Sequence, residues 1–219
     1  MARLLFTARS GGKSEGEFDS LNLAQHVGDQ SDIVQLNRHE LMRLLSVKQL
    51  QFMEQVHGNE IALVTQEMKT IPQADALITK ERNIALVVMV ADCLPVLIDG
   101  VDVIGAIHVG RRGMANGIVA RTISEMKSVG GRDFIAHIGP GICGKCYEVS
   151  EPMYLEITSN LPNADAGYRK IDIRREVSRQ LDALGVKIIN INRCTLENEC
   201  YFSFRRAPKT GRQCGAIVL

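Results

Sequence analysis

Ile84-Ala-Leu-Val-Val-Met-Val-Ala-Asp-Cys-Leu-Pro-Val-Leu-Ile-Asp-Gly-Val-Asp-Val-Ile-Gly-Ala-Ile-His-Val109 opens with the longest apolar stretch of the chain, interrupted by Asp92 and Pro95. Its β-branched content and its punctuation divide it into strands over 84–91, 94–98 and 103–109. If Asp99-Gly-Val-Asp102 is the loop, Ile98 pairs with Val103. Counting outward then sets Cys93 opposite His108. Directly opposed residues of an antiparallel pair have Cβ atoms about 4.5–5.5 Å apart, close enough to share a metal ion or to form a Cys–His pair. A loop of another length moves the register, and Pro95 implies an edge or a bulge.

Outward from this stretch, short apolar runs over 60–65, 74–79, 134–138, 186–191, 201–205 and 216–219 read as further strands. Residues 31–45 read as a helix with Ile33, Leu36, Leu41, Leu44 and Leu45 on one stripe and Ser31 or Asp32 as cap. A second helix is expected over 113–129, with Ile118, Ile123 and Met126 inward. A third runs over 172–184 and ends at Gly185. Arg9-Ser-Gly-Gly-Lys-Ser-Glu-Gly16 has the composition of a loop. Strands come in clusters without regular βαβ alternation, which selects an α+β fold. With 219 residues, one domain over 1–219 is expected, large enough for a sizeable core.

Apolar residues make up 45% and charged residues 23%, the balance of a soluble globular protein. A net charge of +1 gives no basis for a nucleic-acid or membrane partner. The apolar run at the start is too short for a signal peptide, and 84–98 is too short to span a bilayer. A cytoplasmic location is the resulting expectation. Cysteines stand at 93, 143, 146, 194, 200 and 214. Without a secretory signal they read as thiols or metal ligands.

His57, in Gln55-Val-His-Gly58, is a third candidate beside Cys93 and His108. Two histidines and one cysteine suit zinc, with copper possible. Three protein ligands with an open position form the catalytic zinc pattern. The same three residues also fit a Cys–His hydrolase with Cys93 as nucleophile, or two ordinary half-buried strand positions and a loop histidine. Cys143-Gly-Lys-Cys146 reads as half a structural zinc site with Cys194 and Cys200, as a redox pair, or as a turn with incidental thiols. Arg9, Asn22, Ser203 and Arg205 lie where a substrate could reach them, and arginine matches phosphate geometry. His26 is open between a core position and a substrate contact. His39 lies on the polar side of its helix.

Taken in order, Thr7-Ala-Arg-Ser-Gly-Gly12, Ser20-Leu-Asn-Leu23, His26-Val-Gly-Asp29, Gln55-Val-His-Gly58, Ala74-Asp-Ala76, Ala91-Asp-Cys-Leu-Pro-Val96, His108-Val-Gly-Arg-Arg-Gly113, Ile138-Gly-Pro-Gly141, Tyr147-Glu-Val149, Phe202-Ser-Phe-Arg-Arg206 and Thr210-Gly-Arg212 resemble the laccase-domain family. Its members are also described as multicopper polyphenol oxidases and peptidoglycan editing factors. The resemblance implies a mixed or antiparallel β-sheet sandwich flanked by helices. It implies metal ligation by His57, Cys93 and His108. It also implies purine nucleoside phosphorylase activity on adenosine, inosine and methylthioadenosine, with adenosine deaminase activity, so the expected partners are a small purine nucleoside and phosphate. The chain departs from the family at Arg111, where a Trp is usual. Copper oxidase chemistry, the older family description, needs more histidines than five. A non-catalytic metal-binding protein would keep the metal but need no phosphate-binding arginines.

Overall fold

The computed structural model of the chain describes residues 2–219; Met1 of the expected 1–219 span lies outside the described residues. The strand β5 (Ile84–Val90) is buried at every position. A strand reads as continuously apolar when both of its faces are covered, and here they are. Ala85, Val87 and Met89 pack with Leu41 and Leu45 of helix α1 (Ser31–Leu45). Leu86, Val88 and Val90 pack instead with Leu97, Ile104 and Ala106, which come from β6 (Leu94–Val101) and β7 (Val103–Val109). The opposite face of those two strands, with Val96, Ile98, Val103 and Ile107, packs with Met114 of α2 (Arg111–Ala115), Ile118, Ile123 and Met126 of α3 (Ile118–Ser128), Ile157 of α4 (Glu151–Asn160) and Val177 and Leu181 of α5 (Ile173–Ala183).

The result is a single α+β domain of four layers: α1, a four-stranded sheet, a six-stranded sheet and the remaining helices. The first sheet has the order β1-β10-β5-β2, with β1 at Arg3–Phe6, β2 at Gln49–Gln51 and β10 at Gln213–Val218. The second has the order β3-β4-β7-β6-β8-β9, with β3 at Ile61–Val64, β4 at Ala76–Thr79, β8 at Arg132–Ile138 and β9 at Lys187–Asn190. Both sheets are mixed: β2 runs parallel to β5, β3 to β4 and β9 to β8, and the other pairs are antiparallel. The expected mixed sandwich flanked by helices is what forms. No helix among the described residues is long and apolar enough to cross a membrane.

Several local expectations need correction. Gly100 pairs with Val103, and Pro95 with His108, so the β6–β7 turn is shorter than Asp99–Asp102 and the register is shifted by two. Gly100 stays in the strand because the Phe134 ring crosses it; a Cβ there would stand 2.6 Å from a ring carbon. Asp102 turns the chain with φ 62. A shift of two preserves the side-chain faces, so His108 still points toward the Cys93 side. The helix expected over 113–129 is two helices broken at Gly117, whose φ is 72. Residues 201–205 form no strand, because side chains satisfy the backbone instead. Gln213 bonds both the N–H and the carbonyl of Phe202 (2.7 and 3.0 Å), and the Arg205 N–H donates to Asp92. Leu36 and Leu44 of α1 are exposed, and Val34 and Asn37 take their place on the buried face.

Leu97 sits fully buried between the two sheets. Leu97→Ala should lower unfolding stability by about 2–5 kcal/mol through lost burial and a residual cavity. Leu97→Met should cost under about 1.5 kcal/mol. Urea unfolding of the three proteins, with m held constant, measures the difference.

Candidate metal centre

β5 ends at Val90 in one sheet, and β6 begins at Leu94 in the other. Ala91-Asp92-Cys93 therefore carries the chain between sheets. Asp92 makes the crossing with φ 93. Its carboxylate accepts from the Thr195 hydroxyl at 2.6 Å and the Arg205 N–H at 2.8 Å, and its carbonyl accepts from Ile142 N–H. Cys93 thus stands at the mouth of the layer between the sheets. His108, the penultimate residue of β7, is on the same inter-sheet face as Ile104 and Ala106.

One buried carboxylate sets both histidines. Asp75, with no exposure, lies 2.7 Å from His108 Nδ1. It also accepts the backbone N–H groups of Val56, His57 and Gly58 at 3.2, 3.0 and 2.6 Å. Those bonds pin the turn in which His57 takes φ 59. Gln55 anchors the start of that turn by exchanging two hydrogen bonds with the backbone of Met89. The two imidazole rings meet edge to face, centroids 4.8 Å apart at 80°. Cys93 Sγ stands 3.9 Å from His57 Nε2. Gly110 lies under the group, where a Cβ would come within 2.9 Å of the His57 ring and 3.2 Å of the Cys93 sulfur.

Charge at this point is strongly coupled. Burial pushes the Cys93 thiol up, but the imidazoles of His108 and His57 outweigh it and bring it down to about 6. Burial pushes His108 down, while the Cys93 thiolate and Asp75 reverse the effect and raise it to about 9. Burial likewise opposes ionisation of Asp75, yet the His108 contact and the backbone N–H groups hold its carboxyl below the usual carboxylate range. A thiolate, imidazole nitrogens and an orienting carboxylate are the donor set and the support that a divalent metal requires. One ligand atom from each of His57, Cys93 and His108 lies within 4.8 Å of the others. Donor atoms around one tetrahedral zinc stand roughly 3.3–3.8 Å apart, so closing on an ion needs only small shifts. These residues could hold a metal.

The group forms the floor of a cavity of about 690 Å³, whose wall includes His26, Tyr147, Phe204, Arg205 and Arg212. Of the residues singled out from sequence, His26, His57, Cys93, His108 and Arg205 come together here. Arg9, Asn22 and Ser203 do not line it. The Arg9 side chain donates to Asp19 O and lies over the Phe202 ring at 5.1 Å. Asn22 is fully buried and accepts the Arg212 N–H at 3.0 Å. Ser203 is buried and its hydroxyl accepts from the Arg206 N–H. Sequence reasoning assigned no role to Asp75, Tyr147 or Arg212, although each lies in a quoted motif. The one available signal for Asp75 was a carboxylate at the head of an otherwise apolar run. The Arg205 guanidinium stacks over Tyr147 at 4.9 Å. Burial and the Cys93 charge raise the Tyr147 hydroxyl, while Arg111 and Arg205 pull it down, Arg111 also by a hydrogen bond. Arg111 therefore brings a cation to Tyr147. His26 is pushed down from the usual imidazole range by partial burial and by Arg212 and Arg38.

The profile of the family described as "Multi-copper polyphenol oxidoreductase laccase" matches residues 3–219. A Corynebacterium glutamicum protein named purine nucleoside phosphorylase is 40% identical, covering 99% of this chain and 94% of that protein. A Shigella flexneri protein of the same name is 34% identical, covering 97% and 92%. The crystal structure of a Neisseria meningitidis protein superposes with a TM-score of 0.90 at 30% identity, covering 100% of this chain and 94% of that one. That of the Bacillus licheniformis hypothetical protein YfiH gives 0.92 at 29% identity, covering 100% and 92%. With fold, motifs and site running together over the described chain, this protein belongs to the multi-copper polyphenol oxidoreductase laccase family, the laccase-domain family its sequence resembles.

Proposed function

We propose that the chain is a purine nucleoside phosphorylase that cleaves adenosine, inosine and methylthioadenosine against phosphate and also deaminates adenosine, with one zinc ion on His57, Cys93 and His108. One observation carries the reading: a single cavity has a two-nitrogen, one-sulfur donor group on its floor and the guanidinium-bearing Arg205 and Arg212 in its wall. The names of the Corynebacterium and Shigella relatives supply the substrate class. Copper suits similar donors, but three protein ligands with an open side are the zinc pattern.

In phosphorolysis a phosphate oxygen bonds to C1′ of the ribose and the C1′–N9 bond breaks. Its electron pair leaves with the purine, which takes up a proton. Charge develops on sugar and base, so the protein's contribution is positioning and electrostatics. Arg205 and Arg212 hold the phosphate, for which a planar guanidinium is well shaped. Tyr147 and Phe204 offer ring faces to the purine. His26, in the cavity wall, offers a ring nitrogen to a ribose hydroxyl. Asn22, Ser203 and Arg9 work at one remove, by fixing the loops that present Arg212 and Arg205. When bound, zinc supplies Lewis acidity and lowers the pKa of water, the chemistry that attack at C6 of adenine needs. Asp75 holds the proton on His108 Nδ1 and so keeps Nε2 directed at Cys93.

A second reading has one observation in its favour, the Cys93 sulfur standing 3.9 Å from His57 Nε2 where the two imidazole rings meet. It makes Cys93 the nucleophile of a hydrolase, with His57 or His108 as base. A multicopper oxidase is not favoured, because His39 and His137 do not line the cavity.

Three measurements test these readings. Purified protein incubated with inosine should release hypoxanthine only when phosphate is present, with ribose 1-phosphate as co-product; release that does not depend on phosphate favours the hydrolase. Cys93→Ser should lower the zinc content by about one equivalent per chain and abolish adenosine deamination. A dead variant that keeps its full metal content would instead identify the thiol as nucleophile. Asp75→Asn removes the carboxylate behind His108 and should weaken zinc binding at this centre about 10–100-fold in chelator competition. Unchanged affinity would remove Asp75 from the centre.

A further inference from the structure

A second group of soft donors lies away from the cavity floor. Cys143 and Cys146 belong to the turn Cys143-Gly-Lys-Cys146, and Cys194 and Glu197 to the loop after β9. One ligand atom from each lies within 4.8 Å of the other three. Cys146 Sγ is 3.3 Å and Cys143 Sγ 3.9 Å from Glu197 Oε1. The N–H groups of Cys146 and Tyr147 both donate to Cys143 O at 3.0 Å, closing the turn. The Cys143 N–H donates to Cys194 Sγ at 3.3 Å, the kind of support that steadies a ligand sulfur. Cys200, the other cysteine the sequence offered as a partner, is exposed and outside the group, and Glu197 supplies the fourth donor instead.

We infer that Cys143, Cys146, Cys194 and Glu197 form a second site, closed by four protein ligands, for a zinc-type divalent cation with a structural role. Three sulfurs and one carboxylate oxygen are a tetrahedral donor set for zinc, and four protein donors leave no position for a substrate. A redox C-x-x-C pair works with two thiols, whereas here a third sulfur and a carboxylate complete the group. Here a carboxylate stands beside both sulfurs, an arrangement that a cation between them makes favourable. The buried Arg174, which donates to Gly139 O and Asn190 Oδ1, lies close enough to Cys143 and Cys194 to favour their thiolate forms, the forms that ligate a metal.

The position explains what the ion would do. Little regular structure joins the two loops: Gly141 N–H donates to Arg193 O, and Thr195 N–H to Gly141 O, at 3.2 and 3.3 Å. The same loops hold Asp92, through Thr195 Oγ1 and Ile142 N–H, and supply Ile142 and Tyr147 to the cavity wall. An ion across them would tie that wall together by coordination, without a disulfide.

The test uses the full-length protein, purified untagged under reducing conditions, with zinc as the probe. The His57→Ala/Cys93→Ser variant, deprived of the cavity donors, should retain about one zinc per chain. Adding Cys143→Ser and Cys146→Ser should remove it. Because the quadruple variant could fail to fold, the wild-type protein is also alkylated and mapped by mass. Cys143, Cys146 and Cys194 should react about tenfold or more slowly before chelation than after it, while exposed Cys200 reacts equally in both. A His57→Ala/Cys93→Ser protein without zinc, rates at the three cysteines that ignore the chelator, or a Cys143–Cys146 disulfide in the reduced preparation would each overturn the inference.

Discussion

The structure depends on a change of sheet made in three residues. Ala91-Asp92-Cys93 takes the chain from the all-buried β5 to the nearly all-buried β6, and a backbone between two packed sheets has few ways to satisfy its polar groups. Asp92 solves this with a left-handed turn and a carboxylate. That carboxylate reaches loops distant in sequence, 103 residues on at Thr195 and 113 on at Arg205. The bonds that make the crossing tolerable therefore also gather the site. Arg205 is held at the cavity by its own N–H, and Cys93 faces the cavity because the crossing ends there.

Asp75 performs the complementary task from the other side. A buried carboxylate is costly unless its acceptors are filled, and Asp75 fills them with three backbone N–H groups and His108. Its desolvation is thereby converted into a fixed spacing between His57 and His108. The histidines still differ in exposure. His108 is 3% exposed at the end of a core strand, whereas His57 sits on an exposed turn. The centre is rigid on the side built from β7 and open on the side of the turn, which is the asymmetry an ion with one free position requires.

What the sequence made legible follows from this division. Strands β5 and β7 are readable because burial on both faces leaves an uninterrupted apolar run. By contrast, β2 is Gln-Leu-Gln, and only its parallel pairing with β5 makes it a strand. Helix α4 buries only Ile157 and has no apolar stripe to read. The β6–β7 register departs from the one read off the sequence because Gly100 has the composition of a turn, while the reason it is glycine, the Phe134 ring, lies over thirty positions away. In the site, Cys93 and the histidines stand out because few other side chains bind metal. Asp75, Arg212 and Glu197 do not, since their value comes from whom they meet, and carboxylates and guanidiniums are common on any surface.

The two donor groups also differ in a way that separates their roles. The floor group offers three ligands and faces a cavity bordered by Arg205 and Arg212. The Cys143–Glu197 group is complete and faces no cavity among those described. Each guanidinium at the cavity would repel an ion held by neutral ligands, so the thiolate of Cys93 does more than donate. Its negative charge, with that of Asp75 behind His108, would compensate the cations across the cavity and let the proposed metal and phosphate share one small space. On the proposed function, a neutral third ligand would leave metal and arginines competing for the same anion, which would give a physical reason for a cysteine where a third histidine would also satisfy the coordination geometry.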